Sequence, residues 1–120
     1  MSRIILIETS TSLCSTALVE DGKVVCERIS DEPRASKTAL FVSEMLSEKG
    51  LKVSDCDAVA VSKGPGSYTG LRVGVSTAKG LCFGAGVPMI SVGTLDTLVW
   101  QALDGNMLPE GCRYIIPMID

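Results

Sequence analysis

The sequence predicts an α/β fold with a mixed sheet, because strand-like and helix-like segments follow one another in the order βββαβαβα. Three apolar segments separated by short turns open the chain of 120 residues, and helical and strand patterns alternate after them. A run of neighbouring antiparallel strands followed by alternating helices and strands implies a sheet with helices on its faces. One more strand is predicted over residues 114–119.

The first three strands are predicted from apolar runs and a turn signal. Residues 3–8 form a short Ile-rich run of the kind that is buried on both faces of a sheet. Residues 13–20 indicate a second strand. Asp21-Gly22 is a two-residue hairpin signal that pairs this strand with residues 23–30.

A change to helical spacing marks the next element. Apolar residues predict a helix over residues 34–49, which Gly50 ends as a C′ glycine. Its apolar stripe consists of Leu40, Phe41, Met45 and Leu46. A short buried strand follows at residues 58–61, and a glycine-rich loop leads from it into a helix over residues 71–83.

The last two elements follow a turn at Gly86-Val87-Pro88. Residues 89–92 are predicted as a strand, and Thr94 is predicted as the N-cap of a helix that reaches Leu103. Asp96 lies in the first turn of this helix, where the helix dipole favours a carboxylate.

Composition excludes several function classes. The chain is 46% hydrophobic and 21% charged, which excludes intrinsic disorder, and its net charge of −3 disfavours direct binding to a phosphate backbone. It contains no histidine. Ser-His-Asp and Cys-His catalysis and His-ligated zinc are therefore excluded for this chain.

Cysteine usage and the N-terminal sequence predict a cytoplasmic protein. The five cysteines are scattered and form no Cys-x-x-Cys motif, a pattern more typical of reduced, buried thiols than of a secreted scaffold. The apolar run at residues 4–7 is too short for a signal sequence or a membrane span.

The glycine-rich loop is the first candidate site. Several glycines between a strand and a helix permit the close backbone approach that phosphate binding requires, but equally a tight structural turn. Neither the P-loop spacing nor Gly-x-Gly-x-x-Gly is present. In the helix that follows, Gly70, Gly74 and Ala78 recur every four residues, which indicates close approach of a backbone from this chain or from a partner.

The end of the first strand is the second candidate site. Glu8 with the hydroxyls of residues 9–12 has the composition of a magnesium-nucleotide site, or of a turn in which hydroxyls cap the backbone.

The sequence from Gly64 to Leu81 closely resembles the signature of the bacterial TsaB family, also called YeaZ. The motif opens with Gly64, Pro65, Gly66, Ser67, Tyr68, Thr69, Gly70, Leu71 and Arg72. The segments Ile7-Glu8-Thr9-Ser10-Thr11, Val59-Ala60-Val61 and Val92-Gly93-Thr94-Leu95 fit the same family in order and spacing, so the resemblance covers nearly the whole chain.

The resemblance implies the actin-like ATPase fold (ASKHA, ribonuclease H-like). Residues 1–108 would form its N-terminal lobe, and residues 109–120 would begin a second, truncated lobe. Members of the family are accessory subunits in making N6-threonylcarbamoyladenosine beside the anticodon of tRNA. They pair with a catalytic paralogue, TsaD, work with a small ATPase, TsaE, and form homodimers when alone.

The family comparison also implies which chemistry is missing. The catalytic paralogue carries His-x-x-x-His for a metal, whereas the matching positions here are Thr94 and Leu98. We expect no metal and no cofactor. Such folds usually end the first strand in Asp, so Glu8 makes a tuned phosphate site less favourable. The fold-equivalent nucleotide positions, as a relic or a weak site, are Glu8, Thr9, Ser10, Thr11 and Ser12.

The leading hypothesis is a non-catalytic scaffold that docks through helices 34–49 and 71–83 and meets tRNA only within a complex. Its expected interface residues are Gly70, Leu71, Gly74, Val75, Ala78 and Phe83. The alternatives are an ATP-binding, kinase-like or carbamoyl-transferring enzyme that uses Glu8, and a metallopeptidase (glycoprotease), an older family label that the absence of histidine disfavours.

Overall fold

A computed structural model describes residues 2–11, 13–30 and 37–118, and in them the elements follow the predicted order βββαβαβα. A 3-10 turn at Val53–Asp55 lies between the first helix and the fourth strand. The strands and helices are β1 (Arg3–Glu8), β2 (Cys14–Glu20), β3 (Lys23–Ser30), α1 (Thr38–Glu48), β4 (Ala58–Gly64), α2 (Tyr68–Ala85), β5 (Met89–Gly93) and α3 (Thr94–Asp104).

The five strands form one mixed sheet in the order β3-β2-β1-β4-β5. The β1–β2 and β2–β3 pairs are antiparallel, and the β1–β4 and β4–β5 pairs are parallel. Asp21 and Gly22 both have positive φ, 50° and 81°, as a two-residue hairpin turn between β2 and β3 requires. The mixed sheet and the hairpin predicted from the sequence are confirmed.

The core lies between the sheet and the two helices α1 and α2. Helix α1 packs on β2 and β3, and α2 packs on β4, β1 and β5, whereas α3 contacts β4 and β5. Every second residue of the central strands faces α1 and α2, as the two-residue repeat of a strand requires. The core residues are Ile5, Ile7, Leu18, Val42, Met45, Leu46, Cys56, Val59, Val61, Ala78 and Cys82.

Helix ends differ in detail from their predictions. Gly50 follows α1 with a φ of 67°, which confirms it as the residue that ends this helix. Residues 34–36 of the predicted helix lie outside the described residues. Helix α2 begins at Tyr68, three residues earlier than predicted. Thr94 is not an N-cap: Gly93 occupies that position with extended backbone angles, and Thr94 is the first helical residue.

Three sequence-based expectations about strands and faces are wrong. Residues 114–118 form no strand, because no strand of the sheet pairs with them; residue 119 lies outside the described residues. Leu40 is 52% exposed, and Val42 takes the expected place in the core. Strand β1 is not buried on both faces, since Leu6 at its centre is 38% exposed.

Across residues 2–11, 13–30 and 37–118, no helix combines the length and the apolar character that crossing a membrane requires.

Candidate functional site

The glycines of the loop and of α2 pack against a turn of this same chain. A Cβ on Gly66 would overlap the carbonyl of Ser10, and one on Gly70 would overlap the carbonyl of Thr9. A Cβ on Gly74 would overlap the Thr9 side chain. The sequence left open whether this chain or a partner approaches these glycines. At all three positions the approaching group belongs to residues 9–10 of this chain, a backbone carbonyl at Gly66 and Gly70 and a side chain at Gly74.

Hydrogen bonds connect this turn to the glycine-rich loop. The N–H of Ser67 donates to the carbonyl of Ser10 at 2.7 Å. The Thr9 hydroxyl, buried inside the chain, donates to the carbonyl of Gly70 at 2.7 Å. The Ser67 hydroxyl accepts from the N–H of Gly70 at 3.3 Å and caps the start of α2. Two N–H groups that a phosphate-binding loop could offer to an anion, those of Ser67 and Gly70, therefore have partners within the chain.

The remaining motif residues lie at the exposed start of α2. Pro65 follows Gly64 through a cis peptide bond, and Thr69 is exposed. The guanidinium of Arg72 lies 5.9 Å from the centre of the Tyr68 ring, and both side chains are on the surface. This is a cation–π pair on the outer side of α2.

Glu8 joins the ends of β1 and β4. Its carboxylate accepts hydrogen bonds from the N–H of Ser10, at 2.9 Å, and from the hydroxyls of Ser10 and Ser62. The sequence predicted Glu8, Thr9 and Ser10 together, and the structure places them at the same turn. Glu8 and Ser10 are hydrogen-bond partners, whereas the Thr9 hydroxyl donates to the carbonyl of Gly70. Thr11 is exposed, and Ser12 lies outside the described residues.

The predicted interface on α2 divides into two faces. Three of the predicted interface residues are buried inside the chain, namely Gly70, Gly74 and Ala78. The prediction that they lie in an interface is therefore wrong, and residues 9–10 of this chain pack against the two glycines. Phe83, in contrast, is 93% exposed. Leu71 and Val75 are half-buried between the two faces.

The outer side of the helical layer combines small residues with two protruding apolar side chains. A Cβ on Gly80 or Gly84 would meet nothing within 4 Å, so both glycines leave a low surface beside Phe83. Leu40 of α1 is exposed on the neighbouring helix. The exposure of Leu40 was not predicted, because its spacing fits the apolar stripe of α1. In the structure, Val42 is buried in the core and Leu40 is on the surface.

The start of α3 carries no metal-ligating pair. Thr94 is buried at 4% exposure and its hydroxyl has no hydrogen-bond partner in the described structure, and Leu98 lies one turn further along α3. Within residues 2–11, 13–30 and 37–118 there is no group of three Cys, Asp or Glu side chains that could hold a metal.

Two buried thiols have altered acidity. Burial raises the pKa of Cys56, although the positive charge of Arg3 lowers it in part. Burial also raises the pKa of Cys82, and a hydrogen bond with the backbone of Val59 acts in the opposite direction. Both groups favour the neutral thiol, so they are structural residues rather than activated nucleophiles.

The sheet order, the helices on both faces and the Glu8 turn at the end of β1 define a lobe of the actin-like, ribonuclease H-like fold. The solved structure of YeaZ from Pseudomonas aeruginosa is similar to this chain with a TM-score of 0.80 and 32% identity. The match covers 89% of this chain and 51% of that one.

Comparison of sequences identifies the family. Residues 25–115 match the family model described as TsaD: tRNA N6-adenosine threonylcarbamoyltransferase. The chain is 36% identical over 119 residues to the tRNA threonylcarbamoyladenosine biosynthesis protein TsaB of Escherichia coli, covering 98% of this chain and 50% of the relative. It is 39% identical over 95 residues to the tRNA N6-adenosine threonylcarbamoyltransferase of Paracoccus denitrificans, covering 78% and 27%.

The chain belongs to this threonylcarbamoyltransferase family, and within it to the TsaB (YeaZ) group. It spans about half the length of the TsaB relative from Escherichia coli and of the solved YeaZ chain. The family and the fold inferred from the sequence motif are confirmed.

Proposed function

We propose that this chain belongs to an accessory subunit for the threonylcarbamoylation of tRNA adenosine, and that it acts by docking to a TsaD-like catalytic subunit. The names of its relatives support the pathway. The observation that carries the docking role is the outer side of α1 and α2, where Phe83 protrudes beside the small residues Gly80 and Gly84.

This outer helical surface, defined by Leu40, Gly80, Phe83 and Gly84, has the features of a helix–helix interface. Small residues permit close approach of a partner helix, and an exposed aromatic side chain is a frequent centre of binding energy. The exposed positions of this layer include the short side chains of Ala39, Ser43 and Ser76 and the charged side chains of Glu44 and Lys79. A homologous lobe could therefore pack its own helices against this surface.

The role we propose is non-catalytic. Thr94 and Leu98 offer no imidazole where the catalytic paralogue has its metal ligands, and the whole chain contains no histidine. The Glu8 carboxylate is engaged by Ser10 and Ser62, and the glycine-rich loop is engaged by residues 9–10. These features support a scaffold in preference to a nucleotide-dependent enzyme.

The proposed partners follow from this role. The TsaD-like subunit supplies the reaction, a TsaE-like ATPase joins the assembled pair, and tRNA is met only in the complex. When the catalytic subunit is absent, the outer helical surface would pair two copies of this subunit.

The test is the affinity of the full-length protein for a TsaD-like subunit. We expect Phe83→Arg to weaken the complex by roughly 30-fold or more, the loss typical of a central aromatic residue. The matched control is Trp100→Arg, which changes an exposed aromatic side chain on α3 in the same way. Calorimetric titration measures both affinities, and circular dichroism checks that both variants stay folded.

Two results would contradict the proposal. One is an equal effect of both substitutions, which would remove the outer helical surface as the docking site. The other is threonylcarbamoyl transfer to tRNA by the isolated full-length subunit, which would contradict the non-catalytic role.

A further inference from the structure

The outer side of α2 carries two positive charges on the same line as Phe83. Arg72, Lys79 and Phe83 follow one another at intervals of seven and four residues, which places them on one side of a helix with 3.6 residues per turn. All three side chains are exposed. Helix α2 contains no aspartate or glutamate, so nothing along it offsets these charges. We call Arg72 and Lys79 the basic pair.

The basic pair has no carboxylate partner in the part of the chain that the structure describes. Arg3, in contrast, forms an ion pair with Glu20 at 3.2 Å. The guanidinium of Arg72 lies over the Tyr68 ring, a contact that orients it but leaves its charge in place. Lys79 takes part in no ion pair among the described residues. Both charges are therefore available to a partner.

The neighbouring helix α1, which contacts α2, has the opposite composition. Its charged side chains are Glu44 and Glu48. Arg28 of β3 forms ion pairs with both, so one guanidinium offsets one of the two negative charges. Lys37 and Lys49, at the two ends of α1, are exposed and offset the remainder. The charge left over on this helical layer is therefore positive and belongs to α2.

This local positive charge stands against a chain whose net charge is −3. Arg72 and Lys79 are about 10 Å apart along the helix axis, close to the Debye length of about 8 Å at physiological ionic strength, so their fields overlap. A surface region of one sign attracts the opposite sign and repels its own. A partner that approaches the outer helical surface thus meets a positive region beside Phe83.

We propose that the basic pair selects the partner of the outer helical surface, and that the docking helix of a TsaD-like subunit presents carboxylates opposite Arg72 and Lys79. This inference rests on the proposed function and adds the chemistry of the partner's face to it. Charges beside an apolar contact steer association and exclude partners of the same sign, whereas a central aromatic residue holds the complex together. Lys79 lies one helical turn before Phe83, at the edge of that contact.

A nucleic acid is the other class of partner that basic and aromatic side chains attract. Three observations favour a protein helix. Gly80 and Gly84 leave a low surface that suits close approach of a helix. The Tyr68 ring already has a guanidinium over it. The carboxylates of Glu44 and Glu48 lie on the adjoining helix, where they would repel phosphates.

The test is the association rate constant of the full-length protein with a TsaD-like subunit, measured by stopped-flow fluorescence at about 50 mM and about 1 M salt. At the lower salt, Lys79→Glu should slow association by roughly fivefold, and Arg72→Glu/Lys79→Glu by roughly 10-fold or more, because steering is reversed. At the higher salt, screening should reduce both differences to within about twofold.

The matched control is Lys23→Glu, which reverses another exposed lysine. Lys23 lies on β3, the edge strand of the sheet, whereas α2 packs on β4, β1 and β5. This variant should associate within about twofold of the unchanged protein, since the charge is more than a Debye length from the proposed contact. Circular dichroism checks that all variants stay folded, and Arg72→Gln/Lys79→Gln should give a rate between those of the unchanged protein and the double reversal.

Equal association rates for Lys79→Glu and Lys23→Glu, or faster association of the double reversal, would overturn the proposal. If Phe83→Arg still weakened the complex, the proposed function would stand without it. If none of these substitutions changed binding, both would fail.

Fluorescence anisotropy of labelled tRNA with the full-length protein alone tests the other class of partner. We expect the unchanged protein and Arg72→Glu/Lys79→Glu to give the same anisotropy curve at physiological salt. Binding of tRNA that the double reversal abolishes would assign the basic pair to a phosphate backbone and would overturn the proposal.

Discussion

Gly74 packs so closely against Thr9 that the Cβ of any other residue at this position would overlap the Thr9 side chain. Gly66 and Gly70 have the same relation to the backbone carbonyls of Ser10 and Thr9. Each glycine in a helix interior costs about 1 kcal/mol relative to alanine, so these residues are explained by what they let approach. Gly80 has the same helical cost, but a Cβ on it would meet nothing within 4 Å in the described residues, so packing within this part of the chain does not account for this glycine.

The two glycines of α2 should respond oppositely to alanine. We expect Gly74→Ala to lower the free energy of unfolding by roughly 1–3 kcal/mol, because the new methyl group overpacks against Thr9. Gly80→Ala should raise it by about 1 kcal/mol through helix propensity alone. Urea unfolding followed by circular dichroism measures both changes. Adding Thr9→Ala should recover part of the loss in Gly74→Ala but should not improve Gly80→Ala.

The buried thiols should make the protein less stable in alkali. Burial raises the pKa of Cys56 and Cys82 in the folded state, so the folded chain holds these protons more tightly than the unfolded chain does. Their contribution is complete below the ordinary thiol pKa of about 8.5 and is lost as the pH rises through the folded-state pKa.

The measurement is the free energy of unfolding between about pH 7 and pH 10, across the ordinary thiol pKa. We expect its decline to be less steep in Cys56→Ala/Cys82→Ala than in the unchanged protein. Cys112→Ala is the control, because that thiol is exposed. An unchanged slope in the double variant would mean that other groups cause the decline.

At the scale of elements, α2 performs two tasks on opposite sides. Its inner side is held by residues 9–10 and by the core, and its outer side carries Phe83. The Ser67 cap fixes where the helix begins, and Gly86, with a φ of 70°, ends it by donating its N–H to the carbonyl of Cys82 at 2.8 Å. The outer helical surface is therefore held in position by contacts at both ends of α2.

Removing the cap should destabilise the chain more than removing another hydroxyl from the same helix. We expect Ser67→Ala to lower the free energy of unfolding by about 1 kcal/mol, since an N–H of the first turn loses its acceptor. Ser76→Ala, at an exposed position within α2, should be neutral or slightly stabilising. Both values come from urea unfolding. Equal effects would mean that the Ser67 hydroxyl does not stabilise the helix.

At the scale of the whole molecule, the outer helical surface and the exposed side chains of Leu6 and Glu27 lie on opposite sides of the sheet. Phe83 belongs to the layer of α1 and α2, whereas Leu6 and Glu27 face away from that layer. The surface that we propose for docking of a partner is therefore separated from Leu6 and Glu27 by the sheet. Substitutions distant from each other and without shared neighbours are expected to act independently.

This separation predicts that two substitutions in the full-length protein differ in their effect on the affinity for the TsaD-like subunit. Phe83→Arg should weaken binding to the TsaD-like subunit and leave the midpoint of thermal unfolding nearly unchanged. Glu27→Lys, on the other face of the sheet, should leave the affinity of the folded protein within about twofold of the unchanged protein, as expected for independent sites. Affinity by calorimetry and the midpoint by circular dichroism complete the comparison. A loss of affinity in Glu27→Lys would show that the two surfaces are coupled.

The sequence by itself determined the order of the elements, the hairpin at Asp21-Gly22, the residue that ends α1 and the family. These features depend on local spacing, on turn chemistry and on an uninterrupted motif, all of which can be seen along the chain. The cytoplasmic location and the boundary of a second lobe at residue 109 stay predictions.

Only the tertiary structure decided what the glycines approach, which side of α2 faces outward and which strand residues stay exposed among the described ones. Gly74 and Gly80 are both glycines within α2, yet a Cβ on Gly74 would overlap Thr9, far away in sequence, whereas one on Gly80 would meet no atom of the described residues within 4 Å. Leu6 is as apolar as Ile5, and its exposure depends on which distant helix lies above it. Contacts between residues far apart in the chain determine these properties, so no local pattern contains them.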